Sequence, residues 1–287
     1  MTQFDTHTHA ISPDTDRYPV QPLGGTRSEW SQTRAVDIDG LLRSLDAAGV
    51  ERAALVHAST VYGFDNSYAA DALDRHPDRL VGVCAVDFLS PTAIDDLRHW
   101  IGERGFSGVR IRVSDGTTAV PAQGSGVSDE GMAAVWDYLD TQHIPVCIQM
   151  HSKDTNKLVS VLERHPRLTV LLDHGGRPNA AGGPPYNGLD ELATLSKYDG
   201  VHLKITPPML RRLGEEPGVD AIEVVGELVH RFGADHLMWG SNFPASDGTL
   251  ASLRDSIHSH FVGLTDAQLT GVLGANAARV YTASAAG

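Results

Sequence analysis

The stretch Phe4-Asp-Thr-His-Thr-His9 decides how this chain is read. It is a short β-favouring run at the head of the chain, where an open doubly wound sheet would place a glycine-rich phosphate loop after its first strand. Here the run ends in two histidines instead. Seven more short apolar runs follow, at 53–58, 80–86, 109–113, 146–150, 168–172, 201–205 and 237–239, with the first at 4–6. Helix-patterned stretches separate them, such as 39–49 and 155–165, the second stopped by Pro166. Strand then helix, repeated, means parallel pairing through helical crossovers. Eight such units in 287 residues match a closed barrel, for which ~250 residues is typical. The expected fold is therefore α/β, a single-domain (β/α)8 TIM barrel spanning 1–287, with no linker or internal repeat and a frayed tail at 283–287.

Charge and composition narrow the partners. The formal charge is −13 with a pI near 5.4, so nucleic acid and anionic membrane surfaces are repelled and a small molecule is the expected partner. Cys84 and Cys147 both sit in apolar runs, which leaves no disulfide framework or cysteine zinc cluster and reads as two packed thiols. The N-terminus has neither a basic patch nor an apolar stretch, and no run nears the ~20 apolar residues of a membrane helix. A cytoplasmic protein is expected, with self-association left open. Histidine is abundant, 14 in all, and it is the side chain best suited to proton transfer and metal ligation near neutral pH.

In a barrel, the chemistry lies at the C-terminal ends of the strands. Alternation puts His7 and His9 on one side of strand one, the geometry for two nitrogen ligands on one ion. Strand six runs into Asp173-His-Gly-Gly-Arg-Pro178, so a fully apolar run delivers His174 to the barrel mouth. Strand five ends in Gln149 and His151, strand four offers Arg110 and Arg112 on one face, and strand seven carries Lys204. Strand eight ends in Trp239-Gly-Ser-Asn242-Phe-Pro244. Six of eight strand ends thus carry cationic or metal-ligand groups, which inside an acidic protein points to an anionic or carbonyl-bearing substrate. Arg110, Arg112, Gln149, His151 and Lys204 are the expected substrate contacts. Asn66, after strand two, is either a turn residue or a sixth contact. His57, His76, His99, His143, His165, His230, His236, His258 and His260 read as structural or surface residues. Loops at 10–35, 114–128 and 176–188 are long enough to cap a pocket.

Together these motifs resemble the amidohydrolase superfamily, in the branch of the pyrone-dicarboxylate and sugar-acid lactonases. The resemblance runs through Asp5-Thr-His-Thr-His9, Tyr62-Gly-Phe-Asp-Asn66, Gly108-Val-Arg110, Asp173-His-Gly-Gly-Arg-Pro178 and Trp239-Gly-Ser-Asn242-Phe-Pro244. It implies a barrel whose strand-one histidines and strand-six histidine form a cationic or metal-binding floor, with the strand-four arginine holding a carboxylate or lactone carbonyl. Some members bind a divalent metal and the pyrone-lactonase branch works without one. A zinc or manganese ion on His7, His9, His151 and His174 therefore stays open, and no organic cofactor is expected. The family's strand-eight residue is usually an aspartate that accepts a proton from the attacking water. This chain has Asn242, whose amide is neither basic nor charged. His174 is the expected substitute base, since free imidazole titrates near 6.5. The leading expectation is a hydrolase that opens a lactone or related cyclic ester or amide of a small acid. The alternatives are a metal-dependent decarboxylase or hydratase of aromatic or dienoic acids, which His151 would favour, and a catalytically weakened barrel that binds a small acid.

Overall fold

A computed structural model describes residues 3–114 and 120–283. The expected tail beyond 283, and 115–119 of the expected loop 114–128, lie outside these residues. Eight parallel strands follow one another around a single sheet: β1 (Phe4–Thr8), β2 (Arg52–Val56), β3 (Leu80–Ala85), β4 (Gly108–Arg112), β5 (Val146–Gln149), β6 (Val170–Leu172), β7 (Val201–Ile205) and β8 (Leu237–Trp239). The eight apolar runs are these eight strands, with ends shifted by a few residues. Val, Ile and Leu dominate because both faces of each strand are covered, by the barrel interior on one side and helices on the other. Short helices fill the crossovers. Asp37 caps the helix Ile38–Ala47 by accepting from Gly40 N at 2.7 Å, and the helix Thr155–Arg164 stops before Pro166 as its sequence requires.

Closure between β8 and β1 uses side chains as much as backbone. Among the described residues, Thr8 and Phe243 form the one bridge there. Around it, His9 N donates to Phe243 O and Asn242 N to His7 O, each at 2.8 Å. Thr6 Oγ1 donates to Trp239 O at 2.6 Å. The Asp5 carboxylate accepts from His7 N at 3.0 Å and Ser241 N at 2.9 Å. Gly240 makes this approach feasible, because a Cβ there would lie 2.8 Å from His7 Cβ.

Phe4, Val56, Val83, Leu171 and Met238 fill the interior. The C-terminal helix Asn276–Ala283 seals the end where the strands begin, stacking Tyr281 on Phe4 at 5.8 Å between ring centroids. Larger apolar side chains pack between strands and helices. Cys84 lies in that outer layer and Cys147 inside, both free and fully buried. No helix of the described residues is long and apolar enough to cross a membrane. With one end of the barrel sealed, polar side chains collect at the other.

Candidate active site

Strand β1 breaks its register between Asp5 and Thr8. That irregularity lets Phe4, an even position, and His7 and His9, odd positions, all lie inside the barrel. The His7 ring centroid is 5.0 Å from that of His9 and 5.2 Å from that of His174, so the three imidazoles expected to converge do converge. His174 arrives through an unusual turn. From His174 to Arg177 four consecutive residues have φ between 49° and 67°. Left-handed backbone is costly for residues with a Cβ, and Gly175 and Gly176 carry the middle of the turn. A Cβ at Gly175 would meet Met209 Sδ at 2.6 Å. The turn aims both His174 and Arg177 into one cavity.

That cavity has a volume of about 220 Å³ and is lined by His9, His57, His174, Arg110, Arg112, Arg177, Arg211, Gln149, Asn242 and Trp30, among others. No carboxylate lines it among the described residues. A larger cavity of about 900 Å³ lies outside the barrel, against the helix Ile38–Ala47; it holds Arg27, Arg43 and Asp37 but no imidazole. The imidazoles that end the strands therefore gather at the smaller one.

Beneath the cavity, Asp173 is a hub. Its Oδ2 accepts from Arg110 Nε at 2.7 Å, and its Oδ1 lies 3.2 Å from Lys204 Nζ and 3.4 Å from His7 Nδ1. All four residues are buried. Burial alone would push the Asp173 carboxyl up, but Lys204 and Arg110 overcome it and hold the group well below the usual carboxylate range. Burial likewise opposes charge on Lys204, yet Cys147, Tyr281 and Asp173 beside it leave its pKa raised. Burial drives the imidazoles the other way. His9 and His174 fall to about 3 and His7 well below its ordinary value, so all three are neutral at neutral pH. His9 Nδ1 lies 2.7 Å from Val56 O, and its ring stacks on Trp30 at 5.3 Å. His174 Nδ1 lies 2.8 Å from Thr206 Oγ1. Gln149 Oε1 accepts from both Arg110 Nη2 and Arg112 Nε at 2.9 Å, spacing two guanidiniums that would otherwise repel. Asn242, at φ 53°, lines the cavity and donates through Nδ2 to Ser246 Oγ at 3.0 Å.

Of the residues singled out from sequence, His9, His174, Arg110, Arg112, Gln149 and Asn242 line the cavity, and His7 stands directly behind them. Three others do not line it. Lys204 is fully buried between Asp173 and Cys147 Sγ, the latter at 3.0 Å, and is not part of the cavity wall. Strand alternation put it inside the barrel, but one layer too deep. Asn66 spends its whole amide on backbone, donating to Phe64 O and Ala85 O at 3.0 Å and accepting from Ala85 N at 2.8 Å. It locks the segment after β2 to the end of β3. His151 follows β5 but is not among the residues lining the cavity; its backbone N–H is held by Ser114 Oγ at 3.1 Å. Among the described residues no group of three or more His, Cys, Asp or Glu is poised for a metal ion.

Sequence reasoning missed four cavity residues. His57, set aside as structural, lines the wall with Nε2 2.9 Å from Gly63 O; its place right after the apolar run of β2 was the available signal. Arg177 lay inside the strand-six motif that had drawn attention to His174. Arg211 on the helix Pro207–Glu215 and Trp30 on the helix Glu29–Thr33 come from segments whose path over the barrel mouth is set by tertiary packing.

Comparison with known proteins agrees with this architecture. A family model described as amidohydrolase matches residues 4–282. The 4-sulfomuconolactone hydrolase of Rhizobium radiobacter is 29% identical over 257 residues, covering 85% of this chain and 76% of that protein. The L-fucono-1,5-lactonase of Burkholderia ambifaria is 24% identical over 247 residues, covering 85% and 81%. Among solved structures, a putative 2-pyrone-4,6-dicarboxylic acid hydrolase from Pseudomonas putida superposes with a TM-score of 0.78 at 23% identity, covering 98% of this chain and 97% of that one. An amidohydrolase from Burkholderia multivorans with bound zinc superposes with a TM-score of 0.69 at 18% identity, covering 98% and 99%. The structural likenesses carry the fold.

Proposed function

The chain belongs to the amidohydrolase family, and from that premise we propose that it opens the lactone ring of a small acid bearing an anionic group, by attack of water. The observation that carries this reading is the cavity itself: four guanidiniums and neutral imidazoles on one surface without a carboxylate. Guanidiniums recognise carboxylate or sulfonate groups through paired, charge-assisted hydrogen bonds. Arg177, Arg211 and Arg112 would hold the anionic group, and Arg110, fixed by Asp173, would face the ester carbonyl. Such fixed donors stabilise the oxyanion formed as water adds. The carbonyl oxygen of Asn242 would accept a hydrogen bond from the water and orient it. An imidazole that is neutral at neutral pH is free to take the proton. Both curated relatives are named for lactone hydrolysis, which supports the reading.

The residues present do not fit a divalent ion. The donors that meet are His7, His9 and His174, all uncharged. Asp173 is already engaged by Arg110 and Lys204, and Asn242 brings no charge. Arg110, Arg112, Arg177 and Lys204 all act on these imidazoles, and each repels a dication held there. No step of the proposed reaction runs through a metal.

The test is a panel of carboxylated and sulfonated lactones, assayed for acid release with protein purified without chelators and again after chelation. Ring opening of an anionic lactone that survives chelation is expected. Carbon dioxide release from aromatic acids, with no lactone opened, would overturn the reading.

A further inference from the structure

We propose that Gln149 is a positioning residue that makes Arg112 the anion anchor of this site, fixing its guanidinium without neutralising it. The inference rests on the lactone-opening reading above and names how that site would select a charged substrate. It starts from one oxygen atom. Arg112 ends β4 and Gln149 ends β5, and the two are paired in register across the parallel strands. Gln149 Oε1 accepts from Arg112 Nε and from Arg110 Nη2, each at 2.9 Å. All three side chains line the cavity, and all three are buried.

The two guanidiniums differ in what balances them. Arg110 has the Asp173 carboxylate on its Nε at 2.7 Å. Arg112 forms no ion pair among the described residues, and its single side-chain hydrogen bond there goes to a neutral amide. A guanidinium keeps its proton in proteins, so Arg112 holds an unpaired charge at 7% exposure. Burial and the adjacent Arg110 charge both work against that cation and hold its pKa well below the ordinary value. The Asp173 charge, shared with Arg110 and Lys204, offsets only part of this. An anion set against Arg112 would relieve it. With Nε held by Gln149, the two terminal amines are the donors left for a carboxylate or sulfonate, groups that accept such bonds in pairs.

The residue type at position 149 decides the outcome. Glutamate has the same reach and could accept the same two hydrogen bonds, but its charge would neutralise Arg112 from within. Leucine would keep the volume and lose the acceptor. Of the three, only the amide keeps both the placement and the charge.

The test reads anion binding before it reads turnover. Inorganic sulfate is titrated into the resting protein by calorimetry at constant ionic strength. The unaltered protein is expected to bind it, and Gln149→Glu to bind it at least about tenfold more weakly, with a melting temperature no lower. In kinetics, Gln149→Glu should raise KM for an anionic lactone at least about tenfold while KM for an uncharged lactone of the same ring is unchanged. A purely structural role for Gln149 would instead move both KM values and the melting temperature together. Arg112→Met is the second variant, informative even if Gln149→Glu does not fold. Methionine fills the space without the charge, so sulfate binding should be lost while the melting temperature holds or rises. The proposal is overturned if Gln149→Glu binds sulfate as the unaltered protein does, if the unaltered protein binds none, or if Arg112→Met melts lower or still binds it. A protein that opens no lactone, yet loses sulfate in both variants, sinks the lactone reading and leaves the anchor standing, so the two failures are separable.

Discussion

Lys204 Nζ lies 3.2 Å from Asp173 Oδ1 with both side chains fully shielded from solvent, one from β7 and one just past β6. A buried ion pair is a poor source of net stability, but removing one member strands the other at a cost of about 3–5 kcal/mol. Arg110 on the second oxygen of Asp173 softens that penalty without cancelling it. Lys204→Met is therefore expected to lower the melting temperature substantially and reduce kcat, with no selective rise in KM. A rise in KM alone, at unchanged stability, would mean that the amine reaches substrate after all. Denaturant titration beside steady-state kinetics checks it.

Arg177 and Arg211 should behave oppositely. They line the cavity, Arg177 partly shielded from solvent and Arg211 exposed, rather than sunk in the core. Arg177→Ala and Arg211→Ala are expected to weaken binding of an anionic lactone by roughly tenfold to a hundredfold each, the worth of a charge-assisted contact of about 1.5–3 kcal/mol. The effect should shrink as salt is added. Equal losses for an uncharged lactone would remove these arginines from anion recognition.

Acid should destabilise the fold before it protonates the site. Burial holds His9, His174 and His202 at about 3 and His57 at about 4, whereas in the unfolded chain each titrates near 6.5. Below pH 6.5 the unfolded state binds protons that the folded state refuses, so stability falls as pH drops, by about 1.4 kcal/mol per unit for each such histidine. Asp5 works against this. Burial raises it to about 6, so its penalty shrinks as pH falls from 6 toward 3.8. One group does not offset four. Melting temperatures at constant ionic strength should decline steadily from pH 6.5 to 5, and a flat profile would show that the histidines take up protons inside the fold.

Asn242→Asp would place an anion where the cavity wall has none. Both residues tolerate the left-handed backbone at this position, so the change is electrostatic. A carboxylate among Arg110, Arg112, Arg177 and Arg211 competes with an anionic substrate, and it favours the charged form of the nearby imidazoles. KM is expected to rise by at least about tenfold, or 1.4 kcal/mol, and the kinetic pKa should move up. If kinetics and pH profile are both unaltered, Asn242 takes no part in the site.

Gly240→Ala tests the seam. Its new methyl would press on His7 Cβ at 2.8 Å, and overpacking of this kind costs about 1–3 kcal/mol. Because the contact is with the strand that carries His7 and His9, kcat should fall together with the melting temperature. Full activity in a destabilised variant would show that the seam and the site are independent.

The sequence was informative where a local pattern has a single physical outcome. Eight apolar runs separated by amphipathic stretches permit few packings other than a ring of parallel strands, and the histidines that end β1 and follow β6 can only emerge at the same rim. His7, His9, His174, Arg110, Arg112, Gln149 and Asn242 were legible for that reason. Depth was not. Lys204 has the right parity for the interior, but whether an inward side chain meets substrate or a buried carboxylate depends on strand stagger and on what rises beside it, here Asp173. Asn66 carries the residue type of a binding group, yet its amide is consumed by the backbone at Phe64 and Ala85, a pairing that exists only once β2 and β3 lie together. Trp30 and Arg211 sit on helices whose own sequence does not say where they pass over the barrel, and they reach the cavity because of how those helices pack. Most consequential is the His9 tautomer, set by the Val56 carbonyl 47 positions away. A sequence determines which groups can hold a proton; only the assembled barrel, by choosing the partner of one nitrogen, decided which side of the ring is left bare.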